Sequence, residues 1–229
     1  MSSSLDLLPA SDEAADGSAS LAQIAYDRIF DAIQTGRFAP GARIKETELT
    51  AWLSMSRTPV RDALVRLSGE GLLRHEAYRG IVIASLDRQM VVELFLAREA
   101  LEGAAAGLAA RYADEAEVAA LQALIELERG VAGDPVAGAR YNRKFHAEIY
   151  VCAHNRYLLT PLRALWSQMA LVTRQTRRSQ GRSDEALREH EAIVAAIAAR
   201  DPVAAEAAAR QHIRAAQKAL LTDWIEARP

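Results

Sequence analysis

Residues 43–84 read RIKETELTAWLSMSRTPVRDALVRLSGEGLLRHEAYRGIVIA, and the punctuation of this stretch decides the fold of the first third of the chain. A short helix fits Glu46 to Leu53, the four residues Ser54-Met55-Ser56-Arg57 interrupt it, and a second helix runs from about Thr58 to Glu70. Ser56 stands where an N-cap belongs. Pro59 falls in the first turn, where its missing N–H has no helical partner to lose. Two short helices joined by a tight turn outline a helix-turn-helix. On the second helix Val60, Ala63, Leu64 and Leu67 share one arc, while Arg57, Thr58, Arg61 and Val65 share the next, so one side packs and the other presents cations. Arg57 and Arg61, one turn apart, are spaced to reach a phosphate and a base edge in one major groove. The same pair taken alone is also what an ordinary solvated helix face looks like. After Gly71, the segment LLRH, the polar turn EAYR, and Gly80 followed by β-branched Ile81, Val82 and Ile83 read as a β-hairpin flanked by Arg74 and Arg79. Helices followed by a hairpin make a winged helix-turn-helix, whose wing tip can approach the backbone or minor groove while the helix enters the major groove.

Upstream, Leu21, Ile24, Ala25, Ile29, Ala32 and Ile33 recur at steps of three and four and form one apolar helical stripe, ended by Gly36 and the Pro40-Gly41 turn. The first nineteen residues carry four acids and no bases and read as a disordered Ser/Ala/Asp-rich tail. The expected organisation is therefore a tail over 1–19, a winged helix-turn-helix over 20–84 and a third segment over 85–229.

The 229 residues are 50% hydrophobic and 25% charged, which excludes collagen-like, low-complexity and wholly disordered chains. A formal charge of −2 gives no whole-chain signal for nucleic acid. That total is a sum of unlike parts: the tail is acidic, residues 20–84 carry nine bases against seven acids, and the remainder is balanced. The single cysteine, Cys152, rules out an intrachain disulfide and a thiolate zinc finger, and points to a reducing cytoplasm. The first residues lack the basic start of a signal peptide, and no uncharged apolar run reaches the roughly 18 residues of a membrane span.

Beyond Ser85 the chain is Ala- and Leu-rich, with about six helices expected near 87–112, 114–130, 134–153, 156–178, 183–200 and 202–227, and no strand pattern among them. The expected fold class is mainly α, with an all-α bundle following the winged domain. His190 lies on a face with Leu187, Ile193, Val194 and Ile197, and His212 amid Ala205, Ala208, Ala209, Ala216 and Ala219. Asn142 and His146 are four apart, hence on one face of a helix, beside Phe145 and Ile149. A buried imidazole needs partners. Three histidines aimed inward from three helices suggest a shared centre, the alternative being three separately satisfied core histidines. Three imidazole nitrogens with one oxygen donor suit Zn²⁺, Ni²⁺, Co²⁺ or Mn²⁺. His75 and His154 lack such surroundings and read as surface or capping groups.

The run from Gly36 to Ala84, and SRTPVRDAL within it above all, resembles the DNA-binding domain of the GntR family of bacterial transcriptional regulators. The resemblance implies that Thr47, Arg57, Thr58, Arg61 and Gly80 meet DNA, with Arg79 beside them in the wing. Ser54 stands where that turn usually has Gly, Ala77 where the wing often has Pro, and Thr47 where a base is frequent. REALEGAAAGLAA, the FH followed by AHN, EHEAIVAAIAARD and the HI of the last helix resemble, in that order, the FCD ligand-binding domain of the FadR-like subgroup, with a helix number nearer its VanR-like branch. In that family an Asp at the position of Asn142 joins histidines matching His146, His190 and His212 around a divalent metal. The amide here is a neutral and weaker ligand. Small carboxylates are the common effectors, and Arg98 matches a recurrent arginine that pairs with them, its other reading being an intrahelical pair with Glu102. The expectation is a homodimer on palindromic double-stranded operator DNA, since one recognition helix covers only a short half-site. A metal-dependent hydrolase using the three histidines is the alternative. The chain lacks a nucleophile motif, phosphate loop or dinucleotide fingerprint to support one.

Overall fold

The computed structural model describes residues 20–131, 133–172 and 182–226, and these divide into two compact units. One comprises 20–87 together with 166–172, the other 88–165 together with 182–226. The acidic tail expected over 1–19 lies outside the described residues.

In the first unit, α1 (Leu21–Gln34) is capped by the Ser20 hydroxyl, which accepts from the Gln23 N–H at 3.2 Å. Ala25, Ile29, Ala32 and Ile33 face the core as their spacing requires, but Leu21 is 59% exposed, and Tyr26 and Phe30 take the burial that the stripe assigned to the helix start. Arg66 explains the place of Tyr26: its guanidinium lies 3.7 Å from the ring centroid and donates to Glu70, which in turn accepts from the Tyr26 hydroxyl. Helix α2 (Glu46–Leu53) ends at Ser54, whose φ of 54° is left-handed. That is the conformation for which glycine is favoured. Helix α3 (Arg57–Gly69) starts after Ser56, which occupies the N-cap position without making a side-chain cap bond.

The wing is the antiparallel pair β2 (Leu73–Glu76) and β3 (Gly80–Ile83), with Arg74 opposite Val82. A two-residue strand, β1 (Arg43–Ile44), adds to the other edge of β3. It is too short to show a period of two in the sequence. Phe38, Leu49, Leu67, Leu72 and Ile83 are fully buried and tie the helices to this sheet. A 3₁₀ turn, Met169–Leu171, adds Ala170 and Leu171 to the same core. The helix expected over 156–178 therefore ends early: α7 spans Arg156–Gln168 and tightens into this turn, and residues 173–178 lie outside the description.

The second unit is helical, with α4 (Arg88–Tyr112), α5 (Glu115–Gly130), α6 (Pro135–Cys152), the first part of α7, α8 (Arg182–Ala198) and α9 (Pro202–Glu226). Asp114 and Glu117 form a reciprocal capping box at the start of α5, and Asp201 accepts two N–H groups at the start of α9. Helices α4 and α9 approach closely: a Cβ on Gly103 would lie 2.7 Å from Arg210 Cγ, and one on Gly107 3.1 Å from the Pro202 carbonyl oxygen. Ala106 and Ala110, on the same face of α4 as Gly103 and Gly107, and Ala205 and Ala209 on α9 are all buried. Among the described residues, no helix is long and apolar enough to cross a membrane.

Candidate functional sites

On the winged unit the residues that pack and those that present polar groups separate cleanly. Pro59, Val60, Ala63, Leu64 and Leu67 of α3 are buried, whereas Arg57, Thr58, Arg61 and Val65 are exposed, as is Thr47 on α2. Arg61 Nε donates to Glu46 Oε2 at 2.8 Å, so the carboxylate of α2 steers the arginine of α3. Side-chain exposures of 63% for Arg61 and 26% for Glu46 leave the guanidinium reachable from solvent. In the wing, the Arg79 guanidinium donates to Glu76 within the hairpin and to the Gly41 carbonyl of the Pro40-Gly41 turn. Gly80 has φ 77°, and Tyr78 at the hairpin tip has φ 65° and is fully exposed.

The bundle brings its three inward histidines together. His146 on α6, His190 on α8 and His212 on α9 are all buried, and one nitrogen from each lies within 4.8 Å of the others. His146 Nε2 and His212 Nε2 are 3.3 Å apart. Two nitrogens bound to one tetrahedral zinc at about 2.0–2.1 Å would lie about 3.3 Å apart, so the spacing fits. His190 Nε2 is buried and makes no hydrogen bond among the described residues. Phe145 stacks on the His190 ring with centroids 4.1 Å apart and closes one side of the centre.

The outward nitrogens are all engaged by carboxylates. His146 Nδ1 lies 2.7 Å from Glu102 Oε2, His190 Nδ1 2.9 Å from Glu128 Oε2, and His212 Nδ1 2.7 Å from Glu189 Oε2. Burial would by itself push the Glu102 carboxyl up, but the Arg98 guanidinium and the His146 ring hold it well below the usual carboxylate range. Burial likewise opposes ionisation of Glu189, yet His212 and Arg182 bring it down to about 2. Burial lowers His146 despite Glu102, and lowers His212 to about 3 despite Glu189, so both rings are neutral near pH 7. An ionised carboxylate only accepts, so the single ring proton of each belongs on Nδ1. With those protons on Nδ1, the two Nε2 lone pairs face each other across 3.3 Å, an arrangement that a cation between them would suit.

Arg98 is 3% exposed and gives Nε to Glu102 at 2.7 Å, so the intrahelical pair weighed from the sequence is present. Asn142 is half-buried one turn before His146 on the same helix. His75 is exposed, and His154 is an exposed partner of Glu117 at the end of α6. Sequence reasoning missed Glu128, Glu189 and Arg182. Their partners sit on other helices or two turns away, and no periodic signal links Glu128 to His190 across 62 positions. It missed Tyr150 as well, a buried residue one turn beyond His146 whose hydroxyl pKa is raised by burial and by the Glu102 charge.

A winged helix-turn-helix with an arginine-bearing second helix, followed by a helical sensor-like bundle, defines the class of DNA-binding regulators. Residues 21–83 match the family described as bacterial regulatory proteins, gntR family, and residues 93–215 match the FCD domain. The chain belongs to the GntR family of transcriptional regulators and carries an FCD domain. It is 31% identical to the uncharacterized HTH-type transcriptional regulator YdhC of Bacillus subtilis, over 83% of this chain and 84% of that one. It is 34% identical to the probable D-xylose utilization operon transcriptional repressor of Paenarthrobacter nicotinovorans, over 82% and 84%. The fold matches Escherichia coli McbR/YncC with a TM-score of 0.80 at 23% identity, covering 90% of this chain and all of the other. These relatives are regulators and not enzymes, which sets the hydrolase alternative aside.

Proposed function

We propose that the protein is a ligand-responsive regulator that binds a palindromic operator as a homodimer and senses a small carboxylate through a divalent metal in the FCD bundle. His146, His190 and His212 hold the ion, one of Zn²⁺, Ni²⁺, Co²⁺ or Mn²⁺, and Asn142 offers the oxygen donor. When bound, the ion supplies open coordination positions for an anionic ligand. Arg98 gives the carboxylate a second handle, since a guanidinium with five N–H donors can serve Glu102 and an effector together. In the winged domain Arg57 and Arg61 read the major groove with Thr47 and Thr58 beside them, and Arg79 and Gly80 bring the wing to the backbone.

The observation that carries this reading is the buried convergence of three imidazoles whose outward nitrogens are each committed to a carboxylate. An effector regulates only by binding the DNA-competent and incompetent arrangements with different strength. The test is a thermal-shift screen of small carboxylates on metal-loaded and metal-stripped protein, followed by DNA release with the acid assayed for turnover. The expected hit stabilises the loaded form more and alters DNA binding without being consumed. A hit that stabilises both forms equally contradicts a metal-assisted site.

A further inference from the structure

Each histidine of the centre has its own carboxylate, and the carboxylates come from three helices: Glu102 from α4, Glu128 from α5 and Glu189 from α8. Two of them are shared with arginines. Glu102 accepts from Arg98 with one oxygen and faces His146 with the other. Glu189 accepts from Arg182 at 3.0 and 2.7 Å through its two oxygens while also facing His212. Glu128 faces His190 with no arginine against it among the described residues.

We propose that Glu102, Glu128 and Glu189 are positioning residues that hold all three rings as Nδ1–H tautomers and so aim three Nε2 lone pairs at one point. Glu128 contributes most to ligand strength. A carboxylate accepts and never donates when ionised, so an Nδ1 at 2.7–2.9 Å from it must carry the ring proton. An imidazole that donates from Nδ1 to an anion is a more basic ligand at Nε2 and is locked in rotation. Charge ranks the three. Arginines offset the negative charge of Glu102 and Glu189, leaving three carboxylates against two guanidiniums and a formal −1 that resides at Glu128. Removing that charge weakens His190 without freeing an arginine, whereas removing Glu102 strands a buried guanidinium.

The inference rests on the metal reading for its consequence but not for its geometry, so its test has two arms. On metal-stripped, ¹⁵N-histidine-labelled full-length protein, long-range ¹H–¹⁵N spectra are expected to show protonated Nδ1 and unprotonated Nε2 at positions 146, 190 and 212. Spectra with the proton on Nε2 at two or more of them overturn the proposal whether or not metal binds. In the second arm, Zn²⁺ is competed against a chromophoric chelator. Glu128→Gln is expected to lower affinity by about 10- to 100-fold and Glu189→Gln by less. An amide accepts more weakly and can equally donate, so the tautomer bias is lost along with the charge. Glu126→Gln, altering the exposed pair with Arg129, serves as the control and is expected to leave Zn²⁺ affinity unchanged. Zn²⁺ affinity within twofold of wild type in Glu128→Gln overturns the ranking. Failure of wild-type protein to take up Zn²⁺ defeats the metal reading, and the tautomer spectra then decide the positioning role alone.

Discussion

Replacing Arg61 by Ala tests the DNA-reading face with little interference from folding. The side chain is 63% exposed, and its resolved bond is to Glu46, an exposed pair of the kind that contributes little to stability. The thermal midpoint is therefore expected to stay within about 1 °C of wild type. A bidentate arginine–base contact is worth about 5- to 150-fold in discrimination at one half-site. A dimer on a palindrome makes that contact twice, so the loss on the full site is expected to be at least about 25-fold. The assay is fluorescence anisotropy at one fixed salt concentration, with a labelled duplex selected from a randomised pool by the wild-type protein. A base reader predicts a large loss on the selected duplex and a small one on random DNA. A phosphate contact predicts equal losses on both and a salt slope reduced by about one. Affinity for the selected duplex within twofold of wild type would remove Arg61 from the readout.

Three further outcomes follow from particular residues. Asn142→Asp exchanges a neutral amide for an anionic ligand one turn from His146, and is expected to raise Zn²⁺ affinity roughly tenfold in calorimetry. A loss of affinity would place position 142 outside the metal shell. Ser54→Gly relieves a left-handed residue at φ 54° and is expected to raise unfolding free energy by about 1 kcal/mol in urea titration; destabilisation would mean that the Ser54 side chain holds the turn. Burial pushes the Cys152 thiol up to about 12, so native protein is expected to resist thiol reagents at pH 8 and to react on unfolding. The folded thiol binds its proton more tightly than the unfolded one. This contribution to stability is thus intact below the ordinary thiol pKa and is lost as pH rises above it, and rapid native labelling at pH 8 would refute the burial.

Much of this structure was legible in the sequence, because its signals are local. Helix α3 begins at Arg57, within one residue of the expected start, since Pro59 and the arc of Val60, Ala63, Leu64 and Leu67 act within one or two turns. The inward aim of His190 and His212 followed from the Ile, Val and Ala residues that share their faces. What was not legible is what other elements decide. Leu21 is exposed while Tyr26 and Phe30 are buried in its stead, with Tyr26 held by Arg66 and Glu70 from α3 and its C-cap. Strand β1 exists only through β3. The carboxylates behind the histidines lie on helices whose juxtaposition no spacing reveals, apart from the (i, i+4) pair of Arg98 and Glu102, for which the sequence left two readings.

Metal content is the plainest readout of whether His146, His190 and His212 make a metal centre. Full-length protein is stripped with a chelator, reconstituted with Zn²⁺ or Ni²⁺, desalted and submitted to elemental analysis beside His146→Ala and His190→Ala, with circular dichroism to verify helix content. About one ion per chain is expected in wild type and little in either variant at near-normal helicity. No metal in reconstituted wild type, or as much in the variants as in wild type, would contradict a metal centre there.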